Sequence, residues 1–139
     1  MTLYDEVMSR KNEIMKKSIG IDYDCFESGG ISFDYEGMMN NSGYSLSDVA
    51  RIQAETAVGN TPVIELRNFT RLARKLAGPG KGARIFIKDE AANPSGSFKA
   101  RRAALSVYHA KKLGYKGVIS ATSGNYGAAV ASQAAMQGL

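Results

Sequence analysis

The chain has 139 residues, of which 44% are hydrophobic and 22% charged, and its formal net charge is +5. This composition suits a folded domain with its own core. No stretch approaches the ~18 consecutive apolar residues of a membrane span, and the charged start MTLYDEVMSRKNE does not fit a secretory signal. We therefore expect a cytoplasmic protein without a membrane partner. The lone cysteine, Cys25, and the lone histidine, His109, exclude an intramolecular disulfide and leave no plausible zinc site or histidine-based catalytic triad.

Charge is distributed unevenly along the chain. Residues 1–50 carry 4 Lys or Arg against 9 Asp or Glu, whereas residues 51–139 carry 14 against 4. A basic segment can attract nucleic acid, an anionic membrane or a phosphorylated small molecule. Because the basic residues stand apart and no aromatic-laced motif accompanies them, we do not expect nucleic-acid binding.

The first third of the chain predicts helices joined by an irregular connection. Apolar residues recur among charges from Leu3 to Lys17 with no Gly or Pro between them, which predicts a helix. Residues 20–44 contain five glycines and predict an irregular segment. The pair Ser45 and Asp48 resembles a capping box, which predicts a helix over 46–56.

The rest of the chain alternates between strands and helices after the turn Gly59-Asn60-Thr61-Pro62. The patterns predict strands at Val63–Leu66, Arg84–Lys88 and Gly117–Ala121, and helices at 68–76, 97–113 and 125–137. The order of the last four elements is typical of an α/β fold with a parallel sheet covered by helices. Such a sheet needs a further strand after Gly138, so we expect the 139 residues to be a fragment of a longer protein.

Two segments join a predicted strand to the helix that follows, where ligands of α/β sheets gather. One is Asn93-Pro-Ser-Gly-Ser-Phe-Lys99 and the other is Ala121-Thr-Ser-Gly-Asn-Tyr-Gly127. Lys99 lies in the first turn of the helix predicted at 97–113. The dipole at a helix N-terminus disfavours an ammonium group by roughly 0.3–1 kcal/mol, so this is an unusual place for a lysine without a function. A neutral lysine amine can attack an aldehyde. The alternative interpretation is a lysine whose amine extends into water.

The second segment offers a site for an anion. Thr122, Ser123, Gly124 and Asn125 supply hydroxyls, an amide and backbone N–H groups at a helix start, which suit a carboxylate or phosphate. The alternative is an ordinary helix cap with tight packing, and the serines of the first segment, Ser95 and Ser97, have a similar alternative as turn and N-cap residues.

In order and spacing, Gly59-Asn-Thr-Pro, Asn93-Pro-Ser-Gly-Ser-Phe-Lys99 and Thr122-Ser-Gly-Asn-Tyr-Gly127 together resemble the fold-type-II pyridoxal-phosphate enzymes, the family of threonine synthase, threonine dehydratase and cysteine synthase. The resemblance covers about residues 55–139. It implies the start of that family's catalytic α/β domain, truncated here, with residues 1–54 as a helical and irregular extension. The family's phosphate-binding loop and its residue facing the pyridine nitrogen do not occur in these 139 residues.

The resemblance also implies roles for individual residues. Lys99 would be catalytic and would hold pyridoxal 5'-phosphate covalently, and Asn125 would hydrogen-bond the ring hydroxyl of that cofactor. The loop around Asn125 and one serine of the first segment would bind the carboxylate of an amino acid substrate. The residues with this implied role are Ser97, Thr122, Ser123, Gly124 and Asn125. No metal is implied.

Within the family, the acidic residues 1–54 and the sequence PSGSFKARRAA are similar to a thiolase branch, since Ala100 stands where threonine synthases usually have aspartate. The branch implies thiolytic cleavage of 2-amino-4-oxopentanoate by coenzyme A to acetyl-CoA and alanine, in ornithine fermentation. It also implies that the chain is a β subunit that works with a small α subunit in a hetero-oligomer.

Alternatives remain inside and outside the family. Lys99 and the Ser-Gly-Asn loop are shared by its members, so threonine synthase-like β-replacement and β-elimination of ammonia stay open. A non-enzymatic interaction module, whose basic half binds a partner, is the alternative of another class. We interpret Cys25 as a free or packed thiol rather than an acetyl-carrying nucleophile, because neither a histidine nor a helix N-terminus stands near it in the sequence.

Overall fold

The structure is a computed structural model that describes residues 2–29 and 32–139, except for the side chain of Ile19. These residues form short helices and one small sheet. The chain divides into two compact units, Met1–Ala50 and Arg51–Leu139. The division of the sequence into an extension and a catalytic domain after residue 54 stays a prediction. Within the described ranges, no helix combines the length and apolar character that crossing a membrane requires.

The helix predicted near the N-terminus is interrupted once. It consists of α1 (Leu3–Ser9) and α2 (Lys11–Ile19), which meet at Arg10. Ser9 contributes to the break, because its hydroxyl donates to the carbonyl of Glu6 at 2.8 Å and competes with the helical ladder there.

The irregular connection predicted over residues 20–44 is wrong in part. It contains a 3-10 turn, Tyr23–Phe26, and a further helix, α3 (Tyr35–Asn41). The carboxylate of Asp34 accepts the backbone N–H of Gly37 at 2.8 Å and so caps α3, a local bond that outweighs the glycines nearby.

The helix expected at 46–56 is confirmed as α4 (Leu46–Glu55). Its predicted capping box is present as well. The backbone N–H of Ser45 donates to Asp48 at 3.0 Å, and the N–H of Asp48 donates back to the Ser45 hydroxyl at 3.2 Å. Each end of the box satisfies a backbone donor that would otherwise lack a partner.

The second unit confirms most of the predicted elements. They are β1 (Val63–Glu65), α5 (Arg67–Ala77), β2 (Phe86–Lys88), α6 (Lys99–Lys112) and α7 (Asn125–Gln137), with a 3-10 turn at Glu90–Ala92 before α6. The two strands pair antiparallel, with Ile64 opposite Ile87.

The buried strand predicted at 117–121 is wrong for the described structure. These residues form no strand, and Ile119 is fully exposed. A strand needs a neighbour to accept and donate its backbone hydrogen bonds, whereas the described sheet pairs only β1 with β2. The parallel sheet therefore stays a prediction, and the sheet that the structure describes is antiparallel.

The core of the second unit lies between α6 and α7. Alanine dominates the buried positions, which lets the two helices approach closely and allows only small side chains between them. The buried apolar residues between these helices are Ala103, Val107, Ala129, Val130 and Ala134. Ala100 and Ala104 of α6 belong to a second cluster with Val58. This packing brings the start of α6 near the loop that leads into α7.

Candidate active site

The two motif-bearing segments of the second unit line one cavity of about 530 Å³. Its walls are Lys99, at the start of α6, and residues 121–126, which lead into α7. Small-molecule sites in proteins have volumes of roughly 300–1,000 Å³, so this cavity is large enough for a cofactor or an amino acid. Four other residues of the predicted site, Thr122, Ser123, Gly124 and Asn125, are therefore brought together with Lys99.

Lys99 offers its amine to this cavity without an acidic partner. It is the first residue of α6 and is half-buried. Its Nζ lies 4.5 Å from the centroid of the Phe98 ring, a cation–π distance. Among the residues that the structure describes, no carboxylate forms an ion pair with this amine. A lysine held against a ring rather than an acid remains available for covalent chemistry at a carbonyl.

Thr122 shapes the loop opposite Lys99. Its Oγ1 accepts the backbone N–H of Gly124 and that of Gly127, both at 3.1 Å. A Cβ added at Gly127 would overlap the methyl group of Thr122, so this close approach requires glycine. The threonine that was expected to bind substrate therefore also acts as a cap that holds the loop in place.

The start of α7 leaves donors that point to an anionic ligand. Gly124 is the N-cap residue and supplies no side-chain cap. The first N–H groups of a helix have no intrahelical acceptor, and the helix dipole makes this end positive. Ser123 and Asn125 are exposed, and neither side chain takes part in a hydrogen bond with the residues described here. Their hydroxyl and amide can thus serve a bound molecule.

Ser97 is placed differently from the other predicted site residues. It is buried, it is not among the residues that line the cavity, and its Oγ has no hydrogen-bond partner within the described part of the chain. Ser95 has a buried Oγ without a partner as well. The role of Ser97 in binding substrate therefore stays a prediction.

Tyr126 is a cavity residue that the sequence reasoning did not assign, although it stands inside the Thr-Ser-Gly-Asn-Tyr-Gly motif. It is half-buried and contributes to the wall. The guanidinium of Arg102 lies 4.8 Å from its ring centroid, which ties the start of α7 to α6. An aromatic residue directly after the Ser-Gly-Asn segment was the signal that could have identified it.

An ion pair anchors the segment that carries Lys99. The carboxylate of Glu90 receives two hydrogen bonds from Arg101, from Nε at 2.7 Å and from Nη2 at 2.8 Å. Such a bidentate pair is stronger and more directional than a single contact. These bonds from Arg101, with a further bond from the Thr61 hydroxyl, lower the pKa of Glu90 from 4.5 to about 2.

The same carboxylate connects the turn at 59–62 to this segment. Thr61 Oγ1 donates to Glu90 at 2.7 Å, and Asn93 Nδ2 donates to it at 3.0 Å. The side-chain carbonyl oxygen of Asn93 accepts the N–H of Gly59 at 3.0 Å, and Lys88 Nζ donates to the Thr61 carbonyl at 2.6 Å. Taken by itself this segment predicts only a turn, although it is one of the three motifs that carry the family resemblance. Its structural role depends on residues about 30 positions away.

We expect Glu90→Gln to abolish a specific pH dependence of stability. A carboxyl whose pKa is lowered by folding stabilises the protein above its unfolded pKa, and this contribution is lost as the pH falls from about 4.5 towards 2. Thermal unfolding of the purified protein should show this loss in the wild type. The Glu90→Gln variant should have a lower melting temperature at pH 7 and a flatter profile in that window.

The matched control is Glu55→Gln, which removes the same charge from an exposed pair with Arg51. Exposed pairs contribute about 0–1 kcal/mol, so its profile should stay close to that of the wild type. Equal acid sensitivity of the wild type and both variants would contradict the assigned role of Glu90.

The donor set of the cavity fits pyridoxal phosphate. Lys99 and Asn125 line the same cavity. A lysine amine can bond to an aldehyde carbon, an asparagine amide can hydrogen-bond a ring hydroxyl, and a helix start such as that of α7 can receive an anion. Lys99 and Asn125 would hold the cofactor, and Ser123 and the backbone around Gly124 would receive a carboxylate.

Comparisons with known proteins point in the same direction. Residues 54–139 match a family model described as "Pyridoxal-phosphate dependent enzyme". No solved structure matches the chain. A "2-amino-4-ketopentanoate thiolase beta subunit" from Acetoanaerobium sticklandii is 76% identical over 136 residues, which cover 98% of this chain and 29% of that relative.

Two other relatives are less similar to this chain. Another protein named as the β subunit of this thiolase, from an unidentified prokaryote, is 66% identical over 99% of this chain and 29% of its own length. A threonine synthase from Synechocystis sp. is 41% identical over 58% of this chain and 20% of its own length. The chain thus spans about 29% of the length of the two thiolase subunits. The resemblance stated from the motifs is confirmed, and this chain belongs to the family of pyridoxal-phosphate dependent enzymes.

Proposed function

We propose that this chain belongs to an enzyme that cleaves 2-amino-4-oxopentanoate with coenzyme A to acetyl-CoA and alanine, as the β subunit beside a small α subunit. The proposal rests on the share of the chain that is similar to the two thiolase β subunits. The similarity covers 98–99% of the chain and so includes both the cavity residues and the segment before residue 54. Threonine synthase-like β-replacement and β-elimination are the alternatives.

Lys99 is the residue that we assign to covalent binding and proton transfer. Bound pyridoxal phosphate supplies an electron sink that stabilises negative charge on the substrate carbons near the amino group. Lys99 Nζ would hold the cofactor until the amino acid substrate displaces it, and the freed amine would then move a proton at the substrate Cα.

The loop before α7 would orient the amino acid. The Ser123 hydroxyl and the N–H groups at the helix start can donate to its carboxylate, and the positive end of the helix dipole favours that charge. Asn125 would instead hold the cofactor by its ring hydroxyl. Thr122 contributes by keeping the loop in shape through its two bonds to backbone N–H groups.

The charge of the second unit suits anionic substrates. Residues 51–139 carry 14 basic against 4 acidic side chains. Coenzyme A is a polyanion and the amino acid presents a carboxylate, so a basic surface raises the local concentration of both. This charge supports small anionic molecules as substrates.

Activity of the full-length protein, purified with its α subunit, tests the proposal directly. With 2-amino-4-oxopentanoate and coenzyme A we expect acetyl-CoA and alanine in equal amounts. Since Lys99 is assigned both covalent binding and proton transfer, we expect Lys99→Ala to reduce the rate by at least about a thousandfold. Release of ammonia from threonine, without formation of acetyl-CoA, would favour the β-elimination alternative.

Borohydride reduction followed by peptide mapping identifies the lysine that holds the cofactor. We expect the pyridoxyl group on Lys99, because this amine lines the cavity and stands at a helix start. Lys88 and Lys111 are internal controls, since their amines are engaged with the backbone carbonyls of Thr61 and Gln137. Labelling of either control lysine in place of Lys99 would refute the assignment.

The roles of Asn125 and Ser123 can be separated by two readouts. Asn125→Ala should shift the visible absorbance of the bound cofactor, because its amide is assigned to the ring hydroxyl. Ser123→Ala should leave that absorbance unchanged and weaken substrate binding by about three- to tenfold, since the backbone N–H groups remain. The reverse pattern would mean that the two roles are exchanged. If neither variant changed the absorbance or the substrate affinity, the loop would be only a helix cap.

A further inference from the structure

The turn Gly59-Asn60-Thr61-Pro62 is the one motif of the family resemblance that has no part in the cavity wall. None of its four residues, all of which the structure describes, lines the cavity with Lys99. Thr61 is nevertheless buried, with 6% of its surface exposed. Any effect of this turn on Lys99 must therefore pass through the residues that Thr61 and its neighbours contact.

The hydroxyl of Thr61 uses its full hydrogen-bonding capacity. It donates to the carboxylate of Glu90 at 2.7 Å, and it accepts the amine of Lys88 at 2.6 Å and Nη2 of Arg101 at 3.3 Å. A threonine hydroxyl has one donor and two acceptor positions, and these three bonds occupy them all. All three partners belong to the second unit. The hydroxyl therefore joins side chains of this unit and has no position left for a ligand.

Arg101 connects this hydroxyl to the helix that carries Lys99. Successive helical residues are rotated by about 100°, so Arg101 lies about 160° around α6 from Lys99. Ala100 and Ala104 lie between these two directions, are fully buried and form a cluster with Val58. Contacts on this side fix the rotation of the first turn of α6, and they leave Lys99 on the side that faces the cavity.

Gly59 supplies a second contact between the turn and the segment of Lys99. Its N–H donates to the side-chain oxygen of Asn93 at 3.0 Å. Its φ is +92°, and a Cβ added there would lie 3.3 Å from Nη1 of Arg101. Glycine therefore suits both the backbone conformation and the close approach to the guanidinium. The turn thus contacts the chain at Asn93 and at Arg101, on both sides of Lys99.

We propose that Thr61 is a positioning residue for Lys99, an inference that rests on the covalent role of Lys99 in the proposed function. By joining Glu90 to Arg101, the Thr61 hydroxyl holds the first turn of α6 in the rotation that presents the amine to the cavity. Bond formation at a carbonyl requires close alignment of the reacting atoms, and a displacement of about 1 Å can reduce a rate about a hundredfold. Loss of the hydroxyl therefore slows the reaction of the Lys99 amine.

The test measures how fast the full-length protein, purified without cofactor, captures added pyridoxal phosphate covalently. Visible absorbance gives the rate, and borohydride reduction with peptide mapping identifies the lysine. Thr61→Val removes the hydroxyl and keeps nearly the same shape, whereas Thr61→Ser keeps the hydroxyl and removes a methyl group. We expect Thr61→Val to slow capture about tenfold or more, and Thr61→Ser to change it by less than about threefold.

Thr70 offers a matched control in the same unit. It is also 6% exposed, and its hydroxyl accepts the N–H of Ile85 at 2.9 Å. Thr70→Val therefore removes an equally buried hydroxyl and leaves the bonds of Glu90 and Arg101 in place. We expect it to lower the melting temperature, as Thr61→Val does, and to leave the capture rate within about threefold of the wild type.

Arg101→Lys is a second variant, used if Thr61→Val does not fold. It keeps the positive charge, but an ammonium group cannot reproduce the paired bonds of the guanidinium to Glu90. We expect it to slow capture about tenfold or more as well, because it breaks the same connection from the α6 side. Circular dichroism of each variant shows whether it is folded.

The outcomes separate this inference from the proposed function. Capture on Lys99 at the wild-type rate in folded Thr61→Val, or in Arg101→Lys where Thr61→Val does not fold, would overturn the positioning role and leave the assignment of Lys99 intact. Equal slowing in Thr61→Val, Thr61→Ser and Thr70→Val would also overturn it, because a general loss of stability would explain the result. Capture by another lysine in the wild type would overturn both the covalent role of Lys99 and this inference.

Discussion

The ion pair between Glu90 and Arg101 is the interaction on which the candidate site depends. Arg101 stands two residues after Lys99 in α6, and Glu90 lies in the 3-10 turn that precedes the Asn93–Lys99 segment. Their two hydrogen bonds close this segment into a loop whose ends are held together. Thr61 joins the same carboxylate, so the turn after α4 is tied to the loop as well. The position of the Lys99 amine follows from this closure and from the packing of α6 on α7.

The accuracy of the sequence-based predictions follows the range of the interactions involved. The capping box of α4 and the ends of α7, between Gly124 and Gly138, depend on residues within a few positions, and the sequence predicts them closely. The strand expected at Gly117–Ala121 depends on a neighbouring strand instead. Its apolar composition predicts a segment that would be buried in a sheet. A strand also needs a neighbouring strand for its backbone hydrogen bonds, and the composition of the segment does not show whether one is present.

The candidate site shows the same limit at the level of single residues. Motif spacing predicted Lys99 and the loop at 122–125 as candidates, and the structure places both at helix starts beside one cavity. Motif spacing did not reveal that the turn around Thr61 is joined to Glu90, because that bond links positions 29 apart. Nor did spacing distinguish Ser97, which is buried away from the cavity lining, from Ser123, which lines the cavity.

The cavity divides its polar groups between holding the loop and meeting a ligand. Thr122 uses its hydroxyl oxygen to accept two backbone N–H groups, and it approaches Gly127 so closely that no side chain fits there. Because the threonine holds the loop, Ser123 and Asn125 need not do so, and both remain available at the cavity wall. A loop that is preorganised by its own cap loses little conformational freedom when a ligand binds, which lowers the cost of recognition. The same bonds that make this segment a helix cap therefore make it a suitable binding site.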